Sequence, residues 1–269
     1  MTKTPTPVVL VTGASRGIGL AVVQQLVEGT KVIAPARVVA MSRSVSPGLR
    51  ALADSPRGES LLLVQGDVTS DADNARVVHE AVARWDRLDA LVLNAGTFAD
   101  RRLSDMASDD FRQVMDTNVT SLVSILRPAI PHLRQTHGRV VFLSSGAAMK
   151  ATAAWASYNA SKAAANAISR TLANEEPDIA CFAVRPGVVD TDMVTSIRSS
   201  KAMDPQEQAK FLEMKEQNRL AQPDEPAHVL AALAVNGTRS NPQVDGQPLG
   251  ATGGFVSFDD PALEAFAKK

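Results

Sequence analysis

The chain is 269 residues long, with 28 Lys and Arg against 29 Asp and Glu, a formal net charge of −1, and 45% hydrophobic residues. That length and composition fit one large α/β domain with a sizeable core, and the cancelling charge gives no long-range field for nucleic acid or an anionic membrane. A single cysteine, Cys181, excludes an internal disulfide framework and fits a reducing compartment.

No apolar run approaches the roughly 20 residues of a membrane span. The opening MTKTPTPVVLV lacks the layout of a secretory signal. Sequons at Asn118, Asn159 and Asn236 therefore carry no weight, and the expected location is cytoplasmic.

Val8–Thr12 is a continuous apolar, β-branched run, as in a strand buried on both faces of a parallel sheet. Gly13-Ala-Ser15-Arg16-Gly17-Ile18-Gly19 follows, and residues 20–27 then carry a helical apolar pattern. A strand, a glycine-rich turn and a helix form the phosphate-binding opening of a dinucleotide fold. The spacing here is Gly-x3-Gly-x-Gly, a variant of the more general Gly-x-Gly-x-x-Gly.

A second strand is expected over 37–41, ending in Ser42-Arg43-Ser44. An acidic residue at that edge binds a free ribose 2′-hydroxyl, whereas an arginine accommodates a 2′-phosphate. No Asp or Glu lies between Lys31 and Ala53. Arg43, helped by Arg16, thus points to NADP(H).

Leu61–Gln65 reads as a third strand closed by Gly66-Asp67-Val68, where Asp67 serves either adenine recognition or the capping of the next helix, over 69–85. A fourth strand over 88–93 ends in Asn94-Ala95-Gly96, small residues that let backbone pass close to a ligand. One long helix is expected over 108–126, with Asn118 unusually placed in its interior. A fifth strand over 140–143 stops at Ser144-Ser145.

The stretch AWASYNASKAAA then holds the only tyrosine, Tyr158, four residues before Lys162. On a helix these two stack on one face. The ammonium is expected to pull the phenol's pKa down and make it an acid–base group. A sixth strand over 180–184 leads to Arg185-Pro186-Gly187 and on through Val188, Val189 and Thr191. The polar, methionine-bearing segment 193–222 suits a mobile lid. A last helix over 223–235 and an edge strand over 253–257 complete a single domain, 1–269, without repeat or linker. Alternating strands and helices predict a Rossmann-type, doubly wound parallel sheet of about seven strands.

In order and spacing, these motifs resemble the short-chain dehydrogenase/reductase family: Thr12 to Gly19, Asp67-Val68, Asn94-Ala95-Gly96, Asn118, Ser145, Tyr158-x3-Lys162 and Pro186-Gly187. The resemblance implies Tyr158 as general acid in reduction and Lys162 as the group that tunes it and binds the nicotinamide ribose. It implies Ser145 as a hydrogen-bond donor to the substrate oxygen and Asn118 as the holder of a helix kink and a relay water. Asp67 would meet adenine, Asn94 and Gly96 the adenosine side, and Val189 and Thr191 the carboxamide. Leu93 stands where the family often has another asparagine. Through residues 141–147, Glu175-Glu176-Pro177, and residues 185–191 and 253–261, the chain is similar to fungal reductases of the sepiapterin and benzil reductase type, implying NADPH-dependent reduction of 1,2-diketones in a pocket using Trp155, Val188 and Met193. It also implies a homodimer or homotetramer and no metal. An NAD-dependent alcohol dehydrogenase of the same family is the alternative, and a non-catalytic NADP-binding sensor a further one.

Overall fold

The computed structural model describes residues 5–268. The reading of the N-terminus as lacking a secretory layout rests partly on residues 1–4, outside that range. In chain order the elements are β1 Val8–Thr12, α1 Gly17–Glu28, β2 Arg37–Ser42, α2 Pro47–Ala53, β3 Leu61–Gln65, α3 Asp71–Trp85 and β4 Ala90–Leu93. Then come α4 Ser108–Met115, α5 Ser121–Thr136, β5 Arg139–Leu143, α6 Ala156–Glu175 and β6 Ala180–Arg185. The C-terminal part holds α7 Asp192–Arg198, α8 Pro205–Glu216, α9 Asp224–Asn236, β7 Gln243–Val244, β8 Gln247–Pro248, α10 Leu249–Thr252 and β9 Phe255–Ser257.

Seven strands form one sheet in the order β3-β2-β1-β4-β5-β6-β9, every neighbouring pair parallel. This is the expected doubly wound architecture. Successive side chains of β1 show how it is held. Val9 and Val11 pack with α1 and α9 residues such as Val22, Leu26 and Leu230. Val8 and Leu10 pack with α3, α5 and α6 residues such as Val77, Ile125 and Leu172. Period-two alternation thus feeds two separate cores, one on each face of the sheet, which is why β1 is apolar at every position but its last.

The chain leaves β1 toward β2 and β3, then returns to the other side of β1 to lay down β4. That reversal opens a crevice at the carboxyl ends of β1 and β4, where ligands bind in open α/β sheets. Asp89, immediately before β4, fixes the opposite end. Its buried carboxylate accepts from the Val8 amide at 2.7 Å and from Arg87 at 2.8 and 2.6 Å.

One expectation needs correction. The long helix over 108–126 is two helices, α4 and α5, joined by a π turn at Asp116–Thr120, and it runs on to Thr136. A widened turn of this kind usually marks a functional position, and Asn118 lies inside it, buried. Periodicity hides the break, because a single extra residue hardly disturbs an apolar stripe. The segment 193–222 is largely helical, comprising α7 and α8, and β9 is the edge strand beside β6. The β7–β8 hairpin had no apolar alternation to announce it; Asp245 and Gly246 turn it with φ of 49° and 73°, as a tight hairpin requires. Among the described residues no helix is long and apolar enough to cross a membrane.

Candidate active site

A cleft of roughly 1780 Å³ runs along the carboxyl ends of the strands. Its floor is the glycine turn after β1. Gly13 has φ +65° and Gly17 φ +53°, a region that disfavours any side chain. A Cβ on Gly13 would stand 2.8 Å from Ala95 Cα, and one on Gly19 2.2 Å from Gly13 O. The turn therefore packs backbone to backbone against the loop after β4 and leads its free amides into the start of α1. Such a cradle fits a pyrophosphate. Gly19→Ala is expected to open this turn, lowering cofactor affinity at least tenfold and stability by about 1–3 kcal/mol. Calorimetry of binding and a melting curve would check both.

Asn94 is what clamps the turn. Its side-chain amide donates to the Thr12 and Gly13 carbonyls, each at 3.0 Å, while Thr12 Oγ1 accepts from the Asn94 and Ala95 amides. Asn94 lines the cleft, yet these bonds engage its amide within the protein. Ser15, Arg16, Ile18, Ala95 and Gly96 border the same space.

At the far end of β2, Arg43 is exposed, borders the cleft, and makes no salt bridge among the described residues. Asp67 and Val68 face it across the β3 edge. One Asp67 oxygen, Oδ1, accepts from the Thr69 amide and hydroxyl; the cap of α3 is Ser70, not Asp67. Arg16, read as a helper of Arg43, instead pairs with Asp192 at the start of α7. Both side chains are well exposed, so this bridge is worth little in stability. It does reach from the glycine turn to the segment that follows β6.

Pro186, Gly187, Val188, Val189, Thr191 and Met193 form the wall after β6. A Cβ on Gly17 would meet Thr191 Cγ2 at 3.4 Å, so this wall stands directly over the glycine turn.

The other end of the cleft holds the titratable residues. Tyr158 and Lys162 share one face of α6, and both are buried. Lys162 Nζ donates to the Leu143 carbonyl at 2.7 Å and lies 5.7 Å from the Tyr158 ring centre. Burial lowers its pKa to about 8. Burial also pushes the Tyr158 phenol up, while the Ser145 hydroxyl beside it acts the other way. The expectation that Lys162 pulls the phenol down is thus corrected. The ammonium is itself desolvated and turned to a backbone carbonyl, and the opposing influence comes from Ser145.

Ser145 Oγ accepts from the Ala147 amide at 3.1 Å, which leaves its hydrogen to donate toward the cleft. Its neighbour Ser144 is buried and donates to Asn166 Oδ1 at 2.6 Å, a structural bond. Asn118 reaches from the π turn to both sides of the site. Its Oδ1 accepts from the Thr97 amide at 2.8 Å, and its Nδ2 donates to the Thr97 carbonyl at 2.9 Å and to Ser161 Oγ at 3.0 Å. It therefore ties the loop after β4 to the helix bearing Tyr158 and Lys162. A Cβ on Gly96 would lie 3.4 Å from Asn118 Oδ1 and 3.8 Å from Lys162 Nζ; its absence keeps the space before the lysine open.

Around Tyr158 the walls are aromatic. Trp155 is buried and lines the cleft, so it is at once core and wall. It packs edge-on against Tyr158 at 5.9 Å and against Phe98, behind it, at 5.2 Å. Phe211, from α8, completes the group 5.8 Å from Trp155. Neither phenylalanine was singled out from the sequence. Phe98 stands two residues beyond Gly96, and Phe211 is the one aromatic in a polar helix, a signal that only its position over the cleft makes readable.

Parallel sheet, glycine cradle and switch-point cleft define a dinucleotide-binding α/β protein, and the residues present fit a nicotinamide dinucleotide. The chain belongs to the short chain dehydrogenase family, whose sequence pattern matches residues 7–202. It is 40% identical over 252 residues to an uncharacterized oxidoreductase of Schizosaccharomyces pombe, covering 92% of this chain and 97% of that one. It is 33% identical over 268 residues to a benzil reductase ((S)-benzoin forming) of Saccharomyces cerevisiae, covering 95% and 97%. The crystal structure of a short chain dehydrogenase/reductase from Saccharomyces cerevisiae superposes with a TM-score of 0.88 at 36% identity, over 97% of this chain and all of that one. The protein is accordingly an oxidoreductase of a family that uses a nicotinamide cofactor.

Proposed function

We propose that the protein is an NADPH-dependent carbonyl reductase acting on ketones, 1,2-diketones among them. The observation that supports this most is the meeting of Tyr158, Ser145 and Lys162 in the cleft that begins at the glycine cradle. When bound, NADPH supplies the hydride that reduces the carbonyl carbon.

The chain's own residues do the rest. Gly13 to Gly19 hold the pyrophosphate, and Arg43 meets the 2′-phosphate. Val189 and Thr191 orient the carboxamide end, and Lys162 takes the ribose hydroxyls next to the phenol. Ser145 donates to the substrate oxygen, and Tyr158 donates its proton to that oxygen as negative charge builds there. A phenol kept above its ordinary pKa by burial is fully protonated at neutral pH, the state that reduction needs. The segment 193–222 serves as a lid over the substrate. We also propose a homodimer or homotetramer in solution, on the family resemblance.

The test is NADPH consumption across benzil, other 1,2-diketones and simple ketones, with NADH in parallel. NADPH-specific turnover of diketones is expected. Arg43→Asp is expected to shift the NADPH/NADH preference about 10–100-fold toward NADH, since it trades a charge-assisted bond for repulsion. An unchanged ratio would remove Arg43 from the cofactor role and favour the NAD-dependent alcohol dehydrogenase reading.

A further inference from the structure

The aromatic group over Tyr158 has a composition that the reduction of a generic carbonyl does not require. Tyr158 comes from α6 and Trp155 from the position just before it, Phe98 from the loop after β4, and Phe211 from α8. Phe98 stands edge-on to Trp155 and Tyr158, 5.2 and 5.6 Å away, with interplanar angles of 79° and 81°. Three of the rings thus lock one another in a T-shaped set built from the sheet side of the cleft. Phe211 meets Trp155 at a tilted 42° and comes from the proposed lid.

The helix that carries Phe211 is held loosely. No residue of α8 is buried. Its ties are the Gln208 amide to the Arg198 and Ser200 carbonyls and the Lys215–Asp190 pair. Phe211 itself is half-buried, and it packs on Trp155 in the small cluster with Ala147, Ile197 and Met203. Phe211 and Trp155 touch in this structure; a ring on a loosely held helix can swing outward from a rigid aromatic wall and close again on a flat group between them.

Among the described residues four large apolar side chains are exposed. Val123 lies on α5, but the other three stand on segments that frame the Tyr158 end. Leu103, 76% exposed, follows the Phe98 loop; Met149, 75% exposed, ends the turn begun at Ser145; Leu212, 44% exposed, adjoins Phe211. Arg102, next to Leu103, donates to the Ala202 carbonyl at 3.0 Å and joins that segment to the one before α8. None of the three lines the cleft itself, and scattered exposed apolar residues need no explanation.

We infer that Phe211 and Trp155 clamp an aryl ring of the substrate, so that the enzyme selects ketones carrying an aromatic group on the reacting carbonyl or beside it. Edge-on and offset ring pairs at 4.5–7 Å are favourable beyond the area they bury. An aryl group between Trp155 and Phe211 gains them on both sides, whereas an alkyl chain of equal size gains burial alone. The inference rests on the reductase reading and makes Phe211 a specificity-determining residue that never touches the reacting atoms.

The experiment compares 1-phenyl-1,2-propanedione with a nine-carbon aliphatic 1,2-dione for the wild type, Phe211→Ala and Phe211→Tyr. The wild type is expected to favour the aryl dione in kcat/KM. Phe211→Ala should lose about tenfold of that preference, through KM for the aryl dione. Phe211→Tyr, which keeps a ring, should retain it. An aryl-to-alkyl ratio unchanged in Phe211→Ala overturns the clamp and leaves the reductase reading standing.

A binding readout separates the two claims. In Trp85→Phe, Trp155 is the only tryptophan left, and the NADP⁺-loaded protein can be titrated with a non-reactive aryl amide. Quenching by the aryl ligand that weakens in Trp85→Phe/Phe211→Ala upholds the clamp even if no ketone turns over, which would sink the reductase reading instead. No quenching in either protein overturns the clamp.

Discussion

Tyr158→Phe is expected to lower the rate of carbonyl reduction by about 10²–10⁴-fold, the range that a positioned general acid contributes. NADPH affinity should stay within about threefold. The substitution removes one oxygen and leaves the ring, and the ring is what the surroundings use. Tyr158 stands edge-on to Phe98 at 5.6 Å and to Trp155 at 5.9 Å, contacts that phenylalanine keeps. Stability should therefore change little, and the loss should fall on kcat. Single-turnover hydride transfer at 340 nm and NADPH binding measured on the same preparation would check both halves. Turnover above a tenth of wild type would remove Tyr158 from the proton-donor role. Loss of NADPH binding would mean that the phenol holds the cofactor rather than the substrate oxygen.

The phenol's environment also sets a pH dependence. Burial raises its pKa and Ser145 opposes the rise. Ser145→Ala removes that opposition along with a donor to the substrate. The reductive limb in the variant should then persist to higher pH even as its plateau falls.

The sheet was legible because a strand buried on both faces cannot avoid a continuous apolar run. Residues 8–12 and 180–184 are buried throughout and have no solvent face on which to place a run of polar residues. The cradle was legible for the complementary reason: Gly13 and Gly19 stand where a single carbon would collide with backbone. The candidate catalytic residues were singled out through motif order, since Tyr158 and Lys162 alone are an ordinary helical pair.

What escaped the sequence depends on contacts between distant segments. Asn118 looked out of place in a helix, but its partners Thr97 and Ser161 are 21 and 43 residues away. Arg16 carries the same charge whether it faces a phosphate or Asp192, 176 residues on. The direction of the Tyr158 pKa shift was misread in the same way. Spacing places the ammonium near the phenol, but it does not reveal that the ammonium is dehydrated or that it points to the Leu143 carbonyl.

That dehydration leads to the second large effect. Lys162→Met should reduce kcat/KM by about 10²–10³-fold, because it removes a positive charge beside both the proposed proton donor and the proposed ribose site. The same change should stabilise the cofactor-free protein. The lysine's pKa is about 8 when folded against an ordinary 10.5, so burial of the charge costs about 3 kcal/mol at neutral pH. Methionine fills a similar volume without that cost, although it leaves the Leu143 carbonyl without its donor, and the net gain should be about 1–2 kcal/mol. The sign follows from proton counts. Between pH 8 and 10.5 the unfolded chain still binds this proton while the folded chain has released it, so wild-type stability gains with pH across that window. The advantage of Lys162→Met should be largest below pH 8 and should shrink as pH rises toward 10. Urea unfolding of both proteins at pH 7, 8 and 9.5 would show it as converging curves. Curves that stay parallel would mean that Lys162 does not titrate in this range. A destabilised variant at pH 7 would mean that the bond to Leu143 outweighs the burial of the charge. Convergence would mark Lys162 as a residue held against stability, in a site whose field is arranged before any substrate arrives.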